Sequence, residues 1–276
     1  MTRSILITGC SSGIGHHCAH ALSDRGWQVL ATCRKPEDAA RLRDEGLTTG
    51  VLDLADTASI AAGLDWALDQ TGGTLDALFN NGAFGLPGAV EDLPTDGLRE
   101  IFETNLFGGH ELTRRVIPVM RAQGHGRIVQ NSSVLGFVTY KWRGAYVATK
   151  HALEGLTDTL RLELRGSGLH VILIEPGPVT SKIRENSRPH FERWIDWEHS
   201  AHADLYRDTL LKRLYGDKDK PDPFELPPEA VAKALIRALE AGRPRPRYYV
   251  TVPTHFMGLM RRLLPSRALD WLITKG

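Results

Sequence analysis

The chain has 276 residues, with 34 Lys plus Arg against 33 Asp plus Glu and a net charge of +1. That balance excludes a dedicated nucleic-acid or anionic-membrane binder, which carries a basic excess. With 42% hydrophobic and 24% charged residues, extended disorder is excluded too, and the length suffices for one large core.

Short apolar runs alternate with helical patterns. Strands are expected at residues 4–8, 27–32, 51–54, 75–80, 126–132, 169–175 and 247–252. Helices are expected at 13–25, 36–45, 58–69, 96–120, 144–165 and 227–241, with Pro36 suited to a first turn. Fully apolar strands such as residues 171–174 suit a parallel sheet covered on both faces. The implied fold class is α/β: a Rossmann-type, doubly wound parallel sheet in one domain. Residues 180–226 break the rhythm, mixing aromatics with charges, and residues 217–223 read as a loop. This insertion is expected to cap the substrate crevice. Phe191, Trp194 and Trp197 fall at i, i+3 and i+6, so one helical face is expected to turn all three inward. The alternative is that they anchor the insertion to its own core. The tail at 255–273 reads as helical, divided by Pro265, and packed on its own fold or a partner subunit.

No apolar run reaches 18 residues, and the apolar stretch at residues 5–7 is too short for a signal peptide, so a cytoplasmic protein without a membrane span is expected. Cys10, Cys18 and Cys33 lack C-x-x-C spacing and read as core or turn residues in a reducing compartment. His16, His17 and His20 share helical spacing, but no carboxylate lies at metal-ligand spacing. They read as partly exposed helix residues, and no metal is expected.

Gly9, Gly13 and Gly15, with Ser11, Ser12 and Ile14 between them, join the first strand to the first helix. Glycines there let the backbone turn and approach a pyrophosphate, which the helix N-terminus then attracts. An acid about 20 residues further on would bind the ribose 2′-OH of NAD. Here Cys33 holds that place, followed by Arg34 and Lys35, with no acid before Glu37. A cation at that point suits a 2′-phosphate, so NADP(H) is the expected cofactor. Tyr146 and Lys150 lie one turn apart on a predicted helix, where an ammonium can favour a phenolate. Ser133 ends a strand on the side where such sheets bind ligands. Its neighbour Ser132 is expected to point to the opposite face. Tyr140 has Gly144 rather than lysine at i+4 and reads as pocket lining or loop.

In this order, the glycine loop, Asn80-Asn81, Asn105, Ser133 and Tyr146-x-x-x-Lys150 resemble the short-chain dehydrogenase/reductase superfamily over about residues 3–180. In detail it resembles the branch with bacterial NADP-dependent aldehyde reductases, 17β-hydroxysteroid dehydrogenases and retinol dehydrogenases. The resemblance implies that Tyr146 is the general acid/base, Ser133 orients the substrate oxygen, and Lys150 holds the nicotinamide ribose and lowers the Tyr146 pKa. It implies that Asn105 positions a relay water and Lys150. Asp53, with Leu54, would meet the adenine, Asn80 would lie in the cofactor site, and Pro176, Gly177 and Thr180 would contact the nicotinamide. The implied activity interconverts a small-molecule carbonyl, an aldehyde first, and an alcohol. A hydroxysteroid or retinol dehydrogenase, or a non-catalytic NADP(H)-binding regulator, is the alternative. A homodimer or homotetramer is expected through the helices at 96–120 and 144–165, on Ile101, Leu112, Val116, Leu153, Leu156 and Leu160. Two departures stand out. Gly82-Ala83 replaces the family's Ala-Gly, with Gly85 able to compensate, and Ser12 stands where NADP-preferring relatives often carry a basic residue.

Overall fold

A computed structural model describes residues 2–216 and 221–275. Seven strands form one parallel sheet: β1 (Ser4–Ile7), β2 (Gln28–Cys33), β3 (Thr48–Val51), β4 (Ala77–Asn80), β5 (Gly126–Asn131), β6 (Leu169–Glu175) and β7 (Arg247–Tyr249). Their order across the sheet is β3-β2-β1-β4-β5-β6-β7, so the chain reverses direction between β1 and β4. The crevice beyond the strand ends at such a reversal is where doubly wound folds bind ligands.

Period-two alternation builds two cores. Ile5, Ile7, Val29, Ala31, Phe79, Val129 and Ile174 face α1 (Gly13–Ser23) and α10 (Glu229–Glu240). Leu6, Leu30, Leu78, Ile128 and Val171 face the other way, onto α3 (Thr57–Thr71) and α5 (Gly109–Gln123). Helix α2 (Pro36–Asp44) flanks β2 and β3, and α6 (Gly144–Glu163) packs behind β6.

Three expected elements differ. The strand expected at 51–54 lies at Thr48–Val51, because Leu52 and Leu54 are buried from a loop that turns into α3. Gly50 belongs to the strand because Trp66 packs on it; a Cβ there would meet the indole at 2.5 Å. The expected single helix at 96–120 is α4 (Thr95–Phe102), a π-helical turn at Glu103–Gly108, and α5. The last strand stops at Tyr249, and α11 (Val252–Leu263) begins soon after. Pro265 separates α11 from α12 (Ser266–Lys275) as expected. Among the described residues, no helix is long and apolar enough to cross a membrane.

The insertion carries α7 (Ile183–Trp194), α8 (Ala203–Leu205), a π-helical turn at Tyr206–Leu211 and α9 (Lys212–Tyr215). Part of the expected loop at 217–223, residues 217–220, lies outside the described residues. Phe191, Ile195, Tyr206, Leu210 and Leu214 close a third core with Phe84, Leu86 and Ile101.

Candidate active site

Gly9 and Gly13 both hold left-handed backbone, at φ 71° and 59°. A Cβ on Gly9 would lie 2.6 Å from Gly82 Cα, and one on Gly15 would lie 2.3 Å from the Gly9 carbonyl. Ser12 precedes α1 but makes no side-chain cap bond. The first-turn N–H groups of α1 therefore stand above a cradle that only glycines form, which fits a pyrophosphate. Asn81 holds the cradle from below. Its amide donates to the carbonyls of Thr8 (2.9 Å) and Gly9 (3.2 Å) and accepts from Asn131 of β5 (2.9 Å). The Gly82-Ala83 exchange brings no left-handed residue. A Cβ on Gly82 would meet only the Leu54 Cδ1 methyl closely, at 2.8 Å, so the family's alanine would fit here with a small shift of that side chain. Gly85, the suggested compensation, answers a different need and leaves room for Ser187 Oγ.

At the next strand end, Arg34 is exposed and follows β2 directly. Arg41, one helix face further on, donates to the Ser11 carbonyl at 2.6 Å. The Asp53 carboxylate accepts from Ala55 N (2.9 Å) in a local turn, and its own N–H bonds Ser59 Oγ.

Ser133, Tyr146 and Lys150 come together where β5 meets α6. Ser133 is extended, at φ −169°, and its hydroxyl accepts from Leu135 N at 3.1 Å. It also acts on the Tyr146 phenol. Ser132 points the other way, as alternation requires, and donates to the Glu154 carboxylate. Lys150 is buried, with Nζ 2.6 Å from the Asn131 carbonyl and 5.5 Å from the Tyr146 ring centre. Burial lowers its pKa to about 8, against the pull of Glu154 one turn on. Burial pushes the Tyr146 phenol up to about 12, opposed by Ser133 and by Arg143. The Arg143 cation also eases the phenol, beside the Lys150 ammonium that the sequence pointed to. Arg143 immediately precedes α6 and follows Trp142, whose left-handed φ of 67° costs on the order of 1 kcal/mol. Ring contact with Tyr206 at 4.8 Å holds Trp142 there. A non-glycine residue gave no signal of this turn.

Asn105 lies in the π-helical turn and is buried. Its amide closes on the Phe84 backbone, accepting at 3.0 Å and donating at 2.9 Å, and reaches Thr149 at 3.4 Å. These bonds tie the chain beyond β4 to α6, one residue before Lys150. The Asn80 amide turns toward α5, donating to Thr113 Oγ1 at 2.8 Å, so its side chain leaves the crevice. Pro176 accepts from Val134 N at 2.7 Å. Gly177 has no room for a Cβ beside Thr251, and Thr180 Oγ1 donates to Glu225 at 2.6 Å.

The expected single helical face does not form, although Phe191, Trp194 and Trp197 still line one cavity of about 1030 Å³. Phe191 and Trp194 lie on α7, but the helix ends there and Trp197 starts a separate turn. Trp194 packs over Gly97 and donates to Glu100 at 2.9 Å, so it anchors the cap to α4. A separate cavity of about 660 Å³ is lined by Val90, Tyr140, Trp142, Val147 and Leu205. Ile101, Leu112, Val116 and Leu153, offered as subunit contacts, are buried within their own chain. The exposed apolar residues there are Phe107, Leu156 and Leu162.

The chain matches the short chain dehydrogenase family over residues 3–192. It is 37% identical over 278 residues to the uncharacterized oxidoreductase YbbO of Escherichia coli K12, covering 99% of this chain and 94% of that protein. An NADPH-dependent 3-dehydrocapnine reductase of Ornithobacterium rhinotracheale is 30% identical, with 99% and 96% covered. A short chain dehydrogenase/reductase of Burkholderia phymatum in complex with NAD superposes with a TM-score of 0.77 at 26% identity, covering 95% and 92%. This chain belongs to the short-chain dehydrogenase/reductase family, an oxidoreductase family, and shares its nicotinamide-binding fold.

Proposed function

We propose that the protein is a cytoplasmic, NADP(H)-dependent, homo-oligomeric reductase that interconverts a carbonyl, an aldehyde first, and an alcohol. The observation that carries this reading is the meeting of Ser133, Tyr146 and Lys150 at the end of β5, beside the glycine cradle. A nicotinamide dinucleotide held by that cradle supplies the hydride.

Burial keeps Tyr146 a neutral phenol at pH 7, so it carries the proton that the reduced oxygen requires. Ser133 donates to that oxygen and polarises the carbonyl. Lys150 places a cation behind the phenol, and Asn131 fixes its ammonium. After proton loss, Lys150 and Arg143 favour the phenolate. Gly9, Ser11, Ser12, Gly13, Ile14 and Gly15 form the pyrophosphate turn; Arg34 meets the 2′-phosphate; Asp53 and Leu54 flank the adenine; Pro176, Gly177 and Thr180 line the nicotinamide end. The name of the 3-dehydrocapnine reductase favours NADPH, and Arg34 agrees with it. The three thiols are buried and unpaired, which suits a reducing compartment.

Oxidation of NADPH and NADH, followed at 340 nm against aldehydes, ketones, steroids and retinal, tests the reading. NADPH-dependent turnover with an aldehyde is the expected result. Dinucleotide binding without turnover on any carbonyl would favour a non-catalytic regulator.

A further inference from the structure

His16 and His20 stand one turn apart on α1, and the chain returns Glu45, just past α2, between them. The Nε2 atoms of both rings point at the same carboxylate oxygen, at 2.6 Å for His16 and 2.9 Å for His20. The three ligand atoms lie within 4.8 Å of one another. This carboxylate comes from 25 residues beyond His20, which is why sequence spacing did not reveal it.

The arrangement has the form of a coordination site. Two imidazole nitrogens and one carboxylate oxygen converge here, the donor types and number of a three-ligand metal site. Tetrahedral coordination at about 2.0–2.2 Å separates ligand atoms by about 3.4 Å, so the His16 and His20 contacts with Glu45 need to open by only about 0.8 and 0.5 Å. Side chains at this partly exposed helix rim have that freedom. Arg41 holds the second oxygen of Glu45 at 2.7 Å, the outer contact that orients a ligating carboxylate. The same guanidinium donates to the Ser11 carbonyl of the glycine cradle and, at 3.4 Å, to Asp38. The thiols nearby are excluded as ligands: Cys10, Cys18 and Cys33 are buried and held protonated by burial. His17 turns away toward Glu229 of α10, at 3.7 Å.

The geometry points to a divalent transition-metal site formed by His16, His20 and Glu45, whose occupancy tightens binding of the anionic dinucleotide through Arg41. Two imidazoles and a carboxylate select borderline ions such as Zn²⁺, Ni²⁺ or Co²⁺ over Mg²⁺ and Ca²⁺. A cation bound to Glu45 draws its charge away from Arg41, leaving the guanidinium a stronger positive neighbour of the cradle. The coupling half rests on the proposed dinucleotide site; the metal half stands without it.

The test uses the full chain without a polyhistidine tag, treated with EDTA and titrated calorimetrically with ZnCl₂, NiCl₂ and MgCl₂. One Zn²⁺ or Ni²⁺ per chain and no Mg²⁺ are expected. His20→Ala and His16→Ala should each weaken binding at least about tenfold, while His17→Ala leaves it unchanged. Failure to bind, or equal binding by all three variants, overturns the site. NADP⁺ affinity is then measured with and without Zn²⁺. A tighter Kd with the metal in wild type, but not in His20→Ala, supports the coupling, and no change overturns it. Absence of any NADP⁺ binding overturns the proposed cofactor and leaves the metal result standing.

Discussion

The end of β5 and the inserted segment that carries α7 to α9 are built differently. Ser133, Tyr146 and Lys150 are fixed by a sheet strand and a 20-residue helix, with polar contacts that lead into the protein. Ser132 meets Glu154, and Glu154 and Glu175 share Arg247, which also takes Asp158 at 2.6 Å. Burial and the neighbouring Glu154 raise the Glu175 carboxyl well above the usual range. The inserted segment instead shares an apolar core with Phe84, Leu86, Ile101 and Ala145, and adds polar moorings: Trp194 to Glu100, Tyr206 to Asp92 at 2.8 Å, Ser200 to Asp92 at 2.6 Å. The difference separates two tasks. Ser133, Tyr146 and Lys150 sit at the end of a sheet strand and on a long helix, and the inserted segment joins the fold through a shared apolar core and several side-chain bonds.

The sharpest way to break that division is at the phenol. Tyr146→Phe should lower kcat by about 100- to 10,000-fold, with NADP(H) affinity and Tm near wild type. Retained turnover would remove Tyr146 as the acid. Lys150 offers the next largest effect. Its pKa, near 8 when folded, lies below the ordinary 10.5, so the folded protein binds fewer protons above pH 8. The stability it costs is fully felt below pH 8 and is recovered as the pH rises toward 10.5. The stability of Lys150→Met relative to wild type should therefore fall by about 2–3 kcal/mol between pH 7 and pH 10, as read by urea unfolding. A constant difference would mean that burial does not strain this lysine.

Arg34→Asp should lower the NADPH/NADH ratio of kcat/KM by about 10- to 100-fold, from the loss of one charge-assisted bond. An unchanged ratio would hand the reading of the phosphate to another residue. Trp194→Ala probes the cap and should have the smallest effect on chemistry. It removes the Glu100 bond and the packing over Gly97, for about 1–3 kcal/mol of stability, with equal changes in kcat/KM for short and bulky carbonyls. A selective loss for bulky substrates would restore Trp194 to the pocket wall.

The strands were legible because alternation carries its own phase. Ile5 and Ile7 face one core while Leu6 faces the other, and no distant residue can change that. Ser133, Tyr146 and Lys150 were legible because helical spacing and a strand end are local facts. What remained hidden depends on chain meeting chain. Glu45 joins His16 and His20 only through the packing of α2 beside α1. Gly50 belongs to a strand only because Trp66 lies on it. Phe191, Trp194 and Trp197 shared a spacing, but the helix stops at Trp194, so Trp197 reaches the same cavity from a separate turn.

The π-helical turn at Glu103–Gly108 gives one stretch of the chain an unusual sensitivity to length. Each residue in a helix advances the direction of all that follow by about 100°. The wide turn absorbs one extra residue, letting Asn105 close on Phe84 while Leu112 and Val116, further along, still face the sheet. Deleting one residue from this turn would swing the 15 residues of α5 out of phase with their core, although every side chain type was kept. Here the count of residues is itself a structural determinant, and a single-residue deletion is a harsher change than most substitutions.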